Sequence, residues 1–351
     1  MKILLIGGTG FIGTFVAAQL QQAGHSVTVF HRGARPAPQG GEQIVGDRNH
    51  LEQFRKLFRQ RKFDVVVDFV LGSEDQAKQL MTTLRGATPR VVALSSMDAY
   101  RAWGVLTGME QGGPEPLPVT EDSALRTTPP YPPEVLKQAK QLLPWVNDDY
   151  DKVRVEKIIL GNKEFSGTIL RLPMIYGPGD YLHRFHPFLK RIDDGRPFIL
   201  FADDVARVRT PRGYVENVAA GITLAATSEK AAGRVYNLCE DESFSELEWA
   251  KKIASRAGWT GDFILLPADK IPAHLRWPYN TGQHLVVSSA RIRGELGYRE
   301  IVPEKEAFQR TVDWERANPP ELLIAQFDYE AEDAAASRGE TLPLTGGTGL
   351  Y

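Results

Sequence analysis

A single cysteine, Cys239, stands among 351 residues. That scarcity excludes an internal disulfide and any all-cysteine metal site, and it suits a reducing cytoplasm. Cys239 ends the β-rich run "RVYNLCED", where a small buried apolar role fits better than that of a nucleophile. Long apolar runs are missing too, and no stretch of about 18 such residues exists to span a membrane. The opening "MKILLIGG" carries one charge and passes straight into a glycine turn, so it reads as a first strand rather than a signal peptide. Excess charge of one sign is also lacking. At a net −2 there is no global basic field for nucleic acid or an anionic membrane. The best local basic stretch, "FRKLFRQRK" at 54–62, alternates apolar and basic residues and reads as the solvated face of a surface helix. There are no internal repeats.

What is present is ordinary globular chemistry: 42% hydrophobic and 25% charged residues. The length favours a large domain with a smaller companion. Through residue 100, strand signals ("KILLIGG", "SVTVFHRG", "FDVVVDFV", "RVVALSS") alternate with helical ones ("FIGTFVAAQLQQAGH", "LEQFRKLFRQRK", "SEDQAKQLMTTLRG"). Such alternation predicts right-handed βαβ units and an α/β fold with a Rossmann-type, doubly wound parallel sheet. The expected division is a dinucleotide-binding domain over 1–175, rejoined by parts of 205–240, and a substrate-binding lobe over 176–318. The segment 319–351 lacks apolar periodicity and reads as a flexible tail. Between 101 and 135 a proline- and glycine-rich stretch breaks the pattern, and a long loop of that kind commonly lines a site.

"GGTGFIG" sets Gly7, Gly10 and Gly13 three residues apart, directly after a strand and opening a helix. The first spares a tight bend, the second lets backbone approach a pyrophosphate, and the third lets helix and sheet close together. Phosphate would then lie on the N–H groups at the helix start, making Gly7, Thr9, Gly10, Phe11, Ile12 and Gly13 cofactor-binding candidates. An NAD site usually ends its second strand with an acid for the ribose; here His31 stands there, followed by Arg32 and Arg35. A guanidinium grips a 2′-phosphate that an acid would repel, so NADP is expected over NAD. In "VGDRNH", Asp47 follows the third strand, where a carboxylate can meet the adenine amino group, with Arg48 beside it.

These pieces, with "SSMDAY", "PVTEDSALR", "LRLPMIYGPGD", "GYVENVAAGI" and "SSARIRGELGYRE", follow one another in the order of a known family. From residue 1 to about 318 the chain resembles the extended short-chain dehydrogenase/reductases, and within them the NAD-dependent epimerase/dehydratase family. The resemblance implies a catalytic serine, tyrosine and lysine meeting at the nicotinamide. Ser96 matches the serine, with Ser95 the near alternative, and Tyr150 matches the tyrosine. Asp98 and Tyr100 fall at the substrate side, and Pro173 and Tyr176 border the nicotinamide. The lysine is expected four residues after the tyrosine, but "YDKVRVEK" has Arg154 there and Lys152 two residues on. In a regular helix a residue four on lies about 40° away and one two on about 200° away. Three readings stay open: an altered Tyr150–Arg154 dyad, a late helix start with Lys152 turned inward, or a cofactor site with little chemistry.

Among Arg207, Arg209 and Arg212, the last two are candidates for a substrate diphosphate, although none aligns cleanly with the family's arginine. Pairing with Asp203, Asp204 or Glu216 is the other reading. His183 and His186 lack a third ligand at usual spacing, so no metal is expected. The resemblance implies a homodimeric enzyme acting on a small molecule such as a nucleoside diphosphate sugar. The rival is a non-catalytic dinucleotide-binding regulator, since RNA-associated chloroplast members share "GGTGFIG…VTVFHRG…GDR". The near-neutral charge makes nucleic acid the weaker expectation.

Overall fold

The run KILLI forms strand β1 (Lys2–Ile6), which is buried on both faces. Ile3 and Leu5 enter one apolar cluster and Leu4 and Ile6 another, each with 0% exposure, as strand alternation in a two-sided sheet demands. The computed structural model describes residues 1–143, 145–321, 326–337 and 340–343. After β1 come α1 (Phe11–Gln22), β2 (Ser26–His31), β3 (Glu42–Val45), α2 (Arg55–Arg61), β4 (Val65–Asp68), α3 (Glu74–Leu84) and β5 (Arg90–Ser96). Helices α4 (Arg101–Leu106) and α5 (Pro133–Leu142) flank the irregular segment; α6 (Lys152–Gly161) then leads into β6 (Ser166–Leu172) and β7 (Met174–Tyr176). The remainder contains α7 (His186–Asp193), β8 (Phe198–Ala202), β9 (Arg212–Tyr214), α8 (Val215–Thr227), β10 (Val235–Asn237) and α9 (Glu246–Arg256). It closes with β11 (Asp262–Leu266), α10 (Ala290–Leu296), α11 (Glu304–Ala317), α12 (Tyr329–Ala336) and β12 (Glu340–Pro343).

The main sheet has seven strands in the order β10-β6-β5-β4-β1-β2-β3, and every pairing is parallel. The strand order reverses at β1, so a crevice opens between the carboxyl ends of β1 and β4, where open α/β sheets bind ligands. Strand β10 returns from beyond residue 205 to edge the sheet beside β6. Helix α8 packs on α1 through Ala219, Ile222 and Ala226 against Val16 and Leu20. The smaller lobe carries a parallel β8–β11 pair, to which β12 adds antiparallel, and a two-stranded β7–β9 sheet.

The segment expected as a flexible tail does not behave as one where it is described. Helix α12 inserts Glu332, with 0% exposure, between Arg191 of α7 (Nη2 to Oε1, 2.6 Å) and His274 (Nε2 to Oε1, 2.9 Å). A chain with little apolar periodicity is thus docked by charge, which a hydrophobicity pattern does not register. Residues 322–325, 338–339 and 344–351 lie outside the described residues.

A second buried pair ties the centre together. Arg171 of β6 makes a bidentate contact with Glu156 of α6 (3.0 and 2.7 Å), and both are no more than 3% exposed. Removing one partner strands the other charge in a low-dielectric interior, which costs about 3–5 kcal/mol. Glu156→Ala is therefore expected to lower the unfolding free energy by that amount in a urea titration, with Glu156→Gln losing less.

Candidate active site

Strand β1 runs into Gly7, whose φ of +83° and whose absent Cβ, which would sit 2.9 Å from Val70 Cγ1, admit no other residue without strain. A Cβ on Gly13 would stand 2.6 Å from Gly8 Cα, so helix and loop touch backbone to backbone. Gly10 caps α1 with no side-chain bond and no acid follows in the first turn. The first-turn N–H groups, carried by Phe11, Ile12 and Gly13, are left for an anion. Thr9, Phe11 and Ile12 are half-buried around this turn. The cradle suits a pyrophosphate.

On the adenosine side the expected residues separate. Arg32 and Arg35 are exposed just past β2, and Asp47 is exposed with its carboxylate accepting from Asn49 N (2.8 Å). His31 is different from the expectation: its ring is buried, bonded to Gln43 Oε1 (3.1 Å) and accepting from Gly33 N (3.2 Å), so it shapes the turn. Arg48 is also spent inside the protein, on Asp68 Oδ2 (3.0 Å), Gln76 O and Gln79 Oε1. These contacts tie the "GDR" turn to β4 and α3.

The chemical end answers the lysine question by geometry. Helix α6 begins at Lys152, because Asp151 caps it by accepting from Val153 N (3.0 Å) and Arg154 N (3.5 Å). Tyr150 thus precedes the helix and forms a β-bridge with Ser73, and angular steps counted from Tyr150 do not apply. Counted from Lys152, Val155 and Glu156 share its buried face, while Arg154 turns outward. The Arg154 side chain is 66% exposed and pairs with Glu74 (3.6 Å) and Asp151 (3.3 Å); it does not approach Tyr150 as the four-residue spacing predicts. Lys152 is 3% exposed, and its Nζ donates to Leu71 O (2.7 Å), in the connection after β4, and to Leu94 O (2.8 Å), near the end of β5. Burial pushes its amine down to about 8, against nearby Asp98 and Asp68, which favour the charge.

The Tyr150 hydroxyl donates to Asp98 Oδ2 at 2.8 Å. Burial, then the Asp98 charge, hold this phenol well above its ordinary range. Tyr131, from the proline-rich segment, donates to the same oxygen at 3.2 Å. Asp98 is 3% exposed, and burial raises its carboxyl against the pull of Arg126. Arg126 fixes the corner by donating to Asp98 O (2.9 Å) and Asp151 Oδ1 (2.8 Å). Ser96 is half-buried at the end of β5, accepting from Asp98 N at 3.1 Å, while Ser95 is buried and donates to Glu156 Oε1 at 2.5 Å. Of the two serines, Ser96 is the one turned toward Tyr150's neighbourhood. Tyr131 is not a sequence candidate, and Arg126 enters only as the last residue of "PVTEDSALR"; otherwise the loop's length and composition alone mark their segment.

Three substrate- or cofactor-side candidates are buried on partners inside the protein. Tyr100 has 0% exposure and is bonded to Asn237 Oδ1 (2.7 Å) and to Arg171 Nη1 (2.8 Å). Tyr176 sits in an aromatic cluster with Phe185, Tyr214, Trp249 and Phe308, its hydroxyl on Glu240 Oε1 (2.9 Å). Arg212 Nη2 donates to both carboxylate oxygens of Glu246 (2.8 and 2.8 Å) and the guanidinium lies over the Trp249 ring, so its partner is none of the acids expected. Arg209, with its side chain 42% exposed, meets Ser243 O and Glu248, and Pro173 remains half-buried. Cys239 is buried with its thiol pushed up to about 12, which suits packing. No group of three metal-ligating side chains occurs among the described residues; His183 bonds Glu315 (2.7 Å) and stacks on Trp314. No helix among them is long and apolar enough to cross a membrane.

A sequence model of the NAD dependent epimerase/dehydratase family matches residues 3–239. The chain belongs to that family. Among curated relatives, it is 24% identical over 272 residues to the chloroplast stem-loop binding protein of 41 kDa b of Arabidopsis thaliana, covering 73% of this chain and 63% of that one. It is 31% identical over 151 residues to UDP-glucose 4-epimerase of Streptomyces lividans, covering 37% and 43% respectively. The chain therefore spans less than two thirds of either relative's length. The epimerase Mth375 of Methanothermobacter thermautotrophicus superposes with a TM-score of 0.65 at 18% identity, covering 90% of this chain and 92% of that one. MoeE5 in complex with UDP-glucuronic acid and NAD gives 0.64 at 19% identity, covering 90% and 99%. These likenesses show that the chain shares its fold with them.

Two measurements separate the lysine from the arginine. Arg154→Ala should change the unfolding free energy by no more than about 0.5 kcal/mol, as surface substitutions do. Burial pushes the folded Lys152 amine down to about 8, from the ordinary 10.5. Between those values the unfolded chain holds a proton that the folded one has shed, so the contribution of Lys152 to stability rises with pH. Denaturation of the wild type relative to Lys152→Met should show that rise from about pH 8 to 10.5, and a flat difference would refute an inward, desolvated amine.

Proposed function

We propose that the chain is an NAD(P)-dependent epimerase, dehydratase or reductase acting on a sugar nucleotide or a similar small hydroxyl or carbonyl substrate. The observation that carries this reading is the convergence of Tyr150, Asp98 and Lys152 beside the end of β5, on the sheet edge that also carries the glycine turn. The UDP-glucose epimerase relative and the UDP-sugar complex of MoeE5 support the substrate class by what those proteins are.

The residues present fit a dinucleotide. The N–H groups following Gly10 hold its pyrophosphate, Asp47 its adenine, Lys152 its nicotinamide ribose, and Pro173 borders the ring. Exposed Arg32 and Arg35, without an acid at the end of β2, favour NADP over NAD. Bound, the dinucleotide supplies a hydride acceptor and donor. Tyr150 exchanges a proton with the substrate hydroxyl, and Ser96 orients that hydroxyl. In this reading Lys152 takes the place of the family lysine and Arg154 has no part. Since Arg212 is neutralised by Glu246, Arg209 is the arginine open to a diphosphate.

Calorimetric titration should find NADP bound more tightly than NAD, with a preference that Arg32→Ala/Arg35→Ala removes. In a sugar-nucleotide panel with either cofactor, Tyr150→Phe should cost about 10²–10⁴-fold in turnover, the usual worth of a general acid–base. Binding of cofactor without turnover above that variant would sink the enzyme reading.

The plant stem-loop relative favours a second reading, a dinucleotide-binding protein that associates with RNA. Here the cations of "FRKLFRQRK" weigh against it, because Arg61 pairs with Glu42 and Arg55 and Arg59 donate to the carbonyls of Thr82 and Arg85. An RNA stem-loop titration at low ionic strength with no binding would remove this branch.

A further inference from the structure

Lys152 is near Tyr150 without being bonded to it. Two of its N–H groups are taken by the carbonyls of Leu71 and Leu94, and its Nζ stands 5.8 Å from the Tyr150 ring centroid. The group that does meet the phenol is a carboxylate. Asp98 Oδ2 accepts from Tyr150 at 2.8 Å and from Tyr131 at 3.2 Å, while Asp98 Oδ1 is buried with no hydrogen-bond partner among the described residues. A buried carboxylate with one oxygen unsatisfied is a place where a proton can be held at little cost.

We infer that Asp98 is a positioning residue that takes the Tyr150 proton, so that the ionising unit of the site is a tyrosine–aspartate pair. This rests on the reading above that Tyr150 meets a substrate hydroxyl. The substrate O–H proton moves to Tyr150 Oη as the Tyr150 proton moves to Asp98 Oδ2. The electron pair of the broken O–H bond stays on the substrate oxygen, and the two steps run backward when a carbonyl is reduced. No free tyrosinate forms, which matters because burial and the Asp98 charge both oppose one.

The groups facing Asp98 set its balance. Ser96 lies on its own turn, Arg126 and Tyr131 come from the proline-rich segment, Tyr150 from just before the α6 cap and Lys152 from the start of α6. Arg126, the Tyr150 hydrogen bond and Lys152 favour its ionised form, and desolvation opposes it. Arg126 also holds Asp151, so the same guanidinium sets both the carboxylate and the helix start.

Ultraviolet titration of the phenols in the cofactor-free protein tests the pair without any substrate. The difference between wild type and Tyr150→Phe isolates Tyr150. In an Asp98→Asn background that same difference should ionise lower by roughly one unit or more, since a like charge has been removed. An unchanged Tyr150 transition would overturn the pairing. Carbon-13 NMR of labelled aspartate reads it from the other side, in a variant expected to fold: Tyr150→Phe should raise the Asp98 carboxyl transition, and no change would again refute it. On any panel substrate that turns over, Asp98→Asn should lower kcat at least tenfold with KM little changed and lose the acid limb of the pH profile. Asp98→Glu should restore that limb, and an Asp98→Asn profile identical to the wild type overturns the relay. A panel with no turnover overturns the function proposed above, and the two titrations then decide the pair alone.

Discussion

The bidentate contact between Arg171 and Glu156 is the constraint from which the rest of the centre is built. Arg171 stands on β6 and Glu156 on α6, so the contact sets both the height and the rotation of the helix over the sheet. The remaining capacity of the pair is used as well. Ser95 of β5 donates to Glu156, and Arg171 donates to the Tyr100 hydroxyl and the Glu121 carbonyl. Tyr100 in turn reaches Asn237 on β10. Strands β5, β6 and β10, helix α6 and the irregular segment are thus joined through one guanidinium. A buried pair of this kind is expensive to form, and an apolar substitute can match its stability. What such a substitute lacks is direction, and direction is what α6 needs if Lys152, one turn before Glu156, is to point at the sheet edge.

Much of the fold could be read in the chain because its signals are local. The glycine turn, the apolar strands and the alternation with helices each depend on neighbours within a few residues, and the structure reproduces the sheet they predict. In the candidate site the glycine turn was legible, because at Gly7, Gly10 and Gly13 the backbone sets the geometry. The site was less legible where a side chain's partner lies far along the chain. Arg212 finds Glu246, Tyr176 finds Glu240, and Arg48 finds Asp68, none of them spaced in a way a linear pattern reveals. Each looked available for ligand because its partner was out of view. The same holds for α12, whose docking through Glu332 leaves no apolar trace.

The lysine is the instructive case, because the information was present and a different ruler was needed. Measured from Tyr150, Arg154 has the right spacing. Measured from the apolar positions Val155 and Ile159, which mark the buried face, Lys152 lies three and seven residues back and falls on that face. Asp151 supplies the missing boundary, since a capping aspartate immediately before a helical run says that the residue ahead of it is outside. Spacing rules for a catalytic pair presume that both members sit in one helix. Between Tyr150 and Lys152 stands the cap.

That displacement has a chemical consequence. A tyrosine inside the helix would share its face with a cation; a tyrosine just outside it is free to turn toward the loop that follows β5, where Asp98 and Tyr131 meet it. The cations around the site are correspondingly committed, Arg126 to Asp151, Arg171 to Glu156 and Arg212 to Glu246. Lys152 is held by two neutral carbonyls, which fix its position without cancelling its charge, so its field still reaches Asp98. The cation acts on the carboxylate and the carboxylate on the phenol. In the relay proposed above, a start of α6 placed by one capping aspartate exchanges direct acidification of a tyrosine for control exerted through an acid.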